Sequence, residues 1–477
     1  MCFHTSCTMR HWSFPQIQPL LLLLLLFIFP GCFEASNSVE QPQSSVPTNG
    51  PPSATMIPAE LETLFRIMEA ISSDHTWRVT YPNPCHPGST WPGVECKQGS
   101  DGHSHVTRLE FGTRPNPTCK PTARFPSQIF QFPFLESVFF ISCFTRTRTS
   151  ISILGVLCPS SLQQLSLRSN PTLTGSIPLQ ISSFKSLQVL TLSQNRLTGS
   201  IPVAILNLIS LVHLDLSYNL LEGTIPYQIG NLRNLVVLDL AYNSFTGLIP
   251  STVGQLGLLQ KLDLSSNALH GTIPTTIQNL GSLVFLALSD NKLRGNFPQG
   301  LDRLQNLQFF LMDDNPLFIP LPYLFGRLVK LQELSLANCG FSGTIPLSFS
   351  HLSNLTTLYL QKNMLTGGIP ASFANLSHLY HLNLSRNMLA GVVPSDASFL
   401  SRLGKNLDLS GNPGLCLSPA KQSDVTFGIN VCGHNGTIPN VKPLKSEAAS
   451  KLPTPSMLAL SFFGLVVQIQ LLLSKLV

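Results

Sequence analysis

The sequence predicts an α/β solenoid of about eleven 24-residue repeats, and three observations predict it. Asparagine-type positions recur down the chain at a spacing of 24 or 25: Asn170, Asn195, Asn219, Asn243, Asn267, Asn291, Asn315, Cys339, Asn363, Asn387 and Asn412. Each closes a block of the form L-x-x-L-x-L-x-x-N, as in Leu211-Val-His-Leu214-Asp-Leu216-Ser-Tyr-Asn219. A segment L-x-G-x-I-P then follows in most repeats, for example Leu221-Glu-Gly223-Thr-Ile225-Pro226. Self-similarity on this scale means stacked units that share a one-dimensional core and present an extended recognition surface.

The elements of one repeat follow in order. Leu214 and Leu216 are two apart, so both point to the core face of a short strand. Val212, His213, Asp215, Ser217 and Tyr218 are left facing outward. Asn219 falls where the chain turns out of the strand, and a stacked column of amides can satisfy turn backbone groups otherwise buried unpaired. Cys339 stands in that column as a small buried thiol, structural and not reactive. Glycine then permits the tight turn, and proline fixes an extended path without a donor.

The period and consensus identify leucine-rich repeats. The L-x-G-x-I-P half resembles the plant-specific class, which implies a second small strand per repeat and a right-handed, twisted solenoid. Leu317-Phe-Ile-Pro-Leu-Pro322 lacks the glycine, so the seventh repeat is expected to be distorted.

Charged residues make up only 11% and the net charge is +6, without a dense basic run, which gives nucleic-acid binding little support. No G-x-S-x-G, H-E-x-x-H, phosphate loop or kinase segment is present, so no enzyme, cofactor or metal site is expected. The cysteine spacings do not read as zinc sites.

The ends carry processing signals. Residues 1–35 read as a secretory signal: Arg10 and His11 precede the apolar run Leu20 to Phe29, which is too short to span a membrane comfortably. Residues 36–57 form a Ser/Pro/Thr-rich linker. Residues 58–150 are assigned to an N-terminal cap and divergent first repeat, 151–415 to the repeats, 416–440 to a C-terminal cap and 441–456 to a stalk. Residues 457–477 have two readings. One is a short transmembrane helix; the other is a glycolipid-anchor signal, with Ala448, Ala449 and Ser450 as attachment candidates. The sequons are Asn354, Asn375, Asn383 and Asn435, of which Asn383 falls on the outward strand face.

In the N-terminal cap, Leu61, Leu64, Phe65, Met68 and Ile71 share one helical face. Cys85 and the segment Trp91-Pro-Gly-Val-Glu-Cys96 follow. This arrangement resembles the N-terminal cap of plant extracellular repeat proteins. In a secreted chain most cysteines pair. The expected bridges are Cys85–Cys96 and Cys416–Cys432, one in each cap, and Cys119–Cys143 as a third, with Cys158 left as the odd thiol.

Caps, repeats and terminal anchor together resemble plant leucine-rich-repeat receptor-like proteins without a kinase. Leu64-Phe-Arg-Ile-Met68, Ser401-Arg-Leu-Gly-Lys-Asn-Leu-Asp-Leu409 and Gly414-Leu-Cys416 narrow the resemblance to the group that includes Too Many Mouths and Piriformospora indica-insensitive protein 2. The resemblance implies a receptor or co-receptor on the outer face of the plasma membrane. Its implied partners are a receptor-kinase ectodomain and a secreted peptide or microbial ligand. An extracellular inhibitor of cell-wall hydrolases, similar to polygalacturonase-inhibiting proteins, is the alternative. Ligand contacts are expected on the outward strand face, roughly 50 Å long at the usual strand spacing. There Asp215, Asp239 and Asp263 give way to Phe285, Phe309, Leu311, Tyr359 and Tyr380.

Overall fold

The computed structural model describes residues 55–86, 91–153, 161–394, 397–418 and 429–432. The signal segment, most of the linker, the stalk, the anchor segment with Ala448, Ala449 and Ser450, and Cys158 and Asn435 lie outside these residues.

Every repeat contributes one strand to a 14-stranded sheet. Its first pair, Val94–Gln98 with Ser104–Phe111, is antiparallel and makes the cap; the strands that follow stack in parallel. Register puts Leu190, Leu214, Leu238, Leu262, Leu286, Phe310, Leu334, Leu358 and Leu382 side by side. All nine are fully buried, and each contributes roughly 1.5–3 kcal/mol of burial free energy. Short 3-10 helices such as Val203–Asn207 and Ser251–Gln255 return the chain along the opposite side and close the core with Ile205 and Val253.

The asparagine column works as the sequence implies, and the geometry shows how. Asn291 donates from Nδ2 to the carbonyls of Leu264 at 3.0 Å and Leu288 at 3.1 Å, while its Oδ1 accepts from the Leu269 N–H at 3.0 Å. Each asparagine thus ties its own turn to the repeat before it. The residue just ahead of the column sits in the left-handed region, at φ between 52° and 59° from Gln194 to Arg386. Those positions hold Tyr218, Tyr242, Lys362 and others rather than glycine, so nothing in the sequence announces them.

The second strand of the plant-type repeat is present and forms two flank sheets, of six strands ending at Lys292–Leu293 and of five beginning at Ser342–Thr344. Between them the segment 316–322 breaks the ladder and keeps a single bridge, Pro320 to Ser342. Pro316, Pro320 and Pro322 supply no backbone donors there, and Phe318 adopts φ 51°. The distortion also accounts for Cys339. In neighbouring repeats a backbone N–H finds an asparagine Oδ1; here the Leu317 N–H instead reaches the Asn315 carbonyl at 2.9 Å and the Cys339 carbonyl at 3.1 Å. An acceptor side chain is unnecessary, and Cys339 Sγ donates to the Met312 carbonyl at 3.0 Å. Burial pushes its thiol up to about 12, so it is inert at neutral pH.

Both caps seal the sheet. The helix Pro58–Ile71 buries Leu64, Phe65, Ile67, Met68 and Ile71, with Leu61 at its margin. Trp77 stacks on Trp91 at 5.7 Å, and Tyr81 stacks on Trp91 at 5.6 Å. Buried His105 locks this helix to the first hairpin, with Nδ1 2.8 Å from Glu60 Oε2 and Nε2 3.0 Å from Asp101 Oδ2. Burial opposes its charge, but the Asp101 and Glu60 carboxylates outweigh that and raise its pKa. The bridges Cys85–Cys96, Cys119–Cys143 and Cys416–Cys432 are all formed. At the far end the helix Ala397–Leu403 replaces the 3-10 turn, and Arg402 donates to the carbonyls of Leu376 and Leu379.

Candidate functional site

The outward side chains of the large sheet line up in columns because the strands are in register. One column runs Val189, His213, Val237, Lys261, Phe285, Phe309, Glu333, Thr357, His381. The next runs Thr191, Asp215, Asp239, Asp263, Ala287, Leu311, Ser335, Tyr359, Asn383. The predicted contact residues therefore share one face, with the exception of Tyr380, which stands off these columns at the strand entrance and is 55% exposed.

Two of the three aspartates on this face are buried, and Asp263 is half-buried. Asp215 and Asp239 are 3% and 7% exposed, and His213 beside them is 7% exposed. Closely packed neighbouring strands shade a side chain that points outward. Asp215 Oδ1 accepts from the Ser217 N–H at 3.0 Å and from its Oγ at 2.6 Å; Asp239 does the same for the Ala241 N–H and Asp263 for the Ser265 N–H. These are local strand-end turns that asparagine and aspartate favour, so their first role is structural. Lys261 gathers the cluster, with Nζ 2.7 Å from Asp239 Oδ2 and 4.0 Å from Asp263 Oδ2. Burial resists the Lys261 charge, yet Asp239 and then Asp263 hold its ammonium above the usual range. Burial, with the Asp263 and Asp215 charges beyond what Lys261 offsets, pushes the Asp239 carboxyl up to about 7. Burial lowers the His213 pKa, so its ring is neutral near pH 7.

Beyond Lys261 the face turns aromatic. Its ammonium lies 5.5 Å from the Phe285 ring centroid, and Phe285 lies 6.1 Å from Phe309. Phe285, Phe309, Leu311 and Tyr359 are all half-buried and lie on one face, with Glu333 and Ser335 standing between Leu311 and Tyr359. Glu333 follows Phe309 in the same column and was not legible as a site residue. It is 7% exposed, and burial, assisted by the Asp313 charge, pushes its carboxyl up to about 7. Asp313 itself is engaged, accepting from Ser335 Oγ at 2.6 Å and the Ala337 N–H at 2.7 Å.

A raised carboxyl pKa has a definite thermodynamic sign. Below the ordinary glutamate value both folded and unfolded chains carry the proton and Glu333 is neutral in its effect. As pH climbs through about 7 the folded chain must ionise a shielded group, and stability falls. Glu333→Gln removes that penalty. Its expected gain is on the order of 3 kcal/mol above pH 7, fading to nothing near about pH 4. Denaturant unfolding of both proteins across that range checks this; a gain independent of pH would refute it.

Asn354 and Asn375 are exposed on the connecting turns, whereas Asn383 belongs to the strand His381–Asn383 and accepts from the Ser385 N–H at 3.0 Å. Asn383 pairs in register with Tyr359 of the preceding strand. Among the described residues no group of His, Cys, Asp and Glu could hold a metal ion.

Comparison with known proteins agrees with this geometry. Leucine rich repeat family models match residues 160–221, 234–256, 258–280 and 329–389. Receptor like protein 29 of Arabidopsis thaliana is 65% identical over 145 residues, 30% of this chain and 31% of that protein. Protein TOO MANY MOUTHS of the same plant is 37% identical over 138 residues, 28% of this chain and 27% of that protein. The chain thus spans less than a third of the length of either relative. Among solved structures, the plant peptide hormone receptor RGFR1 in complex with RGF2 is 32% identical with a TM-score of 0.53, covering 66% of this chain and 50% of that one. The chain has the leucine-rich-repeat fold, and its likeness is to plant receptor-like proteins.

Proposed function

We propose that this chain is the ligand-binding part of a cell-surface receptor-like protein that works with the ectodomain of a receptor kinase. The observation that carries the reading is the set of aromatic residues from Phe285 to Tyr359, held in register on a rigid sheet beside a charged cluster. Half-exposed aromatic groups collected on one face are the kind of surface that supplies binding energy. The likeness to Receptor like protein 29 and to a peptide hormone receptor supports a polypeptide ligand. Secretion, glycosylation at Asn354, Asn375, Asn383 and Asn435, and attachment to the plasma membrane rest on the sequence signals. Among the described residues no helix is long and apolar enough to cross a membrane.

The test is affinity capture of the tagged protein from plant membranes, with and without phosphatidylinositol-specific phospholipase. Recovery with a receptor kinase is expected from wild type and is expected to fall roughly tenfold for Phe285→Ala/Phe309→Ala, the loss of two buried aromatic contacts. Release by the lipase identifies a glycolipid anchor. A soluble protein that captures only wall hydrolases overturns the receptor reading and favours the inhibitor.

A further inference from the structure

The excess positive charge of this chain is confined to one stretch. Residues 112–214 hold eight Lys and Arg against a single acid, Glu136, a net charge of +7. The whole chain carries +6, so all its other residues together come to −1. Glu136 is itself engaged from outside the stretch, by Lys97 Nζ at 2.6 Å. A charge so unevenly placed points to an anionic partner.

The fold gathers half of these cations on the flank. Arg124, Arg146, Arg148 and Arg196 are exposed and stand on adjoining rungs. The Cys119–Cys143 bridge ties the first two rungs together; the Phe125 N–H donates to Thr149 Oγ1 at 3.0 Å, and Thr147 Oγ1 donates to the Pro121 carbonyl at 3.1 Å. Thr149 bridges Leu173 on the next rung, and Thr174 pairs in register with Arg196 on the one after. Leu173 is buried, whereas Arg148, Ser150 and Arg196 are exposed, so this row faces outward. At the usual strand spacing its three steps span about 14 Å. Among the described residues none of the four arginines enters an ion pair.

We propose that these four arginines hold a linear acidic polysaccharide by its sugar carboxylates. This is a second surface, and it does not depend on the receptor reading. A guanidinium fork meets a carboxylate in two parallel hydrogen bonds, and all four positions hold arginine, none lysine. Hydroxyls of Thr145, Thr147, Ser150 and Thr174 stand among them and suit the hydroxyl groups of a sugar chain. An acidic protein fits less well, because protein interfaces centre on aromatic and apolar anchors. The one exposed large hydrophobic side chain among the described residues from 112 to 178 is Phe134, and its ring lies 4.2 Å from that of His105. The chain's own ends do not supply the anion: the linker holds Glu40 as its one acid and the stalk Glu447.

The experiment titrates the purified full chain by calorimetry with an oligogalacturonate of about ten sugars and with its methyl ester, at about 50 mM and about 200 mM salt. The acid is expected to bind at least roughly tenfold tighter than the uncharged ester at the lower salt, and to lose most of that margin at the higher. Arg146→Gln/Arg148→Gln/Arg196→Gln is expected to weaken the acid roughly tenfold, since each exposed pair contributes little alone. Lys292→Gln/Arg294→Gln, which removes two exposed cations further along the same flank, is expected to change it less than about twofold. All five side chains are exposed, and circular dichroism establishes that both variants are folded. No binding of the acid at the lower salt, equal binding of the ester, or an equal loss in the two variants overturns the proposal. So does tighter binding of poly-glutamate, which would make the partner an acidic protein, or of phosphatidylserine vesicles, which would make it a membrane.

Discussion

Phe325→Ala is expected to lower the unfolding free energy by roughly 3–5 kcal/mol, the range for removing a buried phenylalanine when the cavity cannot collapse. The ring is fully buried on the 3-10 turn Tyr323–Arg327, with centroids 5.1 Å from Phe297, 5.3 Å from Phe310 and 6.3 Å from Phe349. Phe310 lies in the same repeat, whereas Phe297 and Phe349 come from the repeats on either side, so one substitution weakens two interfaces at once. In a solenoid each repeat depends on its neighbours alone, and the damage should therefore be local. The chain provides a convenient reporter: Trp77 and Trp91 both lie in the N-terminal cap. Far-ultraviolet circular dichroism should show the early loss, whereas tryptophan emission should hold to higher denaturant. Coincident transitions, or a loss under about 1 kcal/mol, would contradict this picture of the core.

The second large effect is expected at Asn291. Alanine there removes the acceptor of the Leu269 N–H and the donor to the Leu264 and Leu288 carbonyls, in a buried turn. Orphaned buried groups cost about 1–3 kcal/mol each, and with some relaxation a total of about 2–4 kcal/mol is anticipated. Asn291→Cys distinguishes the two halves of the role. A thiol can still donate to the carbonyls, as Cys339 does, but Leu269 has no counterpart of the detour by which Leu317 reaches carbonyl groups. The cysteine variant should fall between wild type and alanine in equilibrium denaturation. If it unfolds at the same denaturant concentration as wild type, the acceptor half of the ladder is dispensable.

Much of this architecture was legible because repetition makes weak signals add. Leu214 alone says little, but the same leucine in register from Leu190 to Leu382 dictates strand, face and stacking together. The caps were readable from Trp91 and Cys96, and the missing glycine between Leu317 and Pro322 marked where the flank sheet breaks. Burial on the outward face was not readable. Alternation tells which side Asp215 and His213 take, whereas their depth depends on neighbours a full repeat away. Glu333 was missed for the same reason: its meaning comes from Phe309 and Thr357, which are 24 residues distant on either side. The left-handed residue before each asparagine carries no sequence mark, since tyrosine, lysine, aspartate and arginine all fill it.

The gap between the two flank sheets has a mechanical meaning. The large sheet runs unbroken past it, so the chain cannot part there. Along the flank, however, hydrogen-bonded strands stiffen the stack on both sides, and the segment 316–322 between them is tied to the five-stranded sheet by the Pro320 to Ser342 bridge but, among the described residues, by no β-bridge to Lys292–Leu293. A rod reinforced along one side and left nearly unreinforced at one place flexes at that place. That compliant joint lies in the very repeat that carries Phe309 and Leu311. A change in the curvature of the surface is therefore expected to concentrate under its aromatic residues, where the flank is least reinforced.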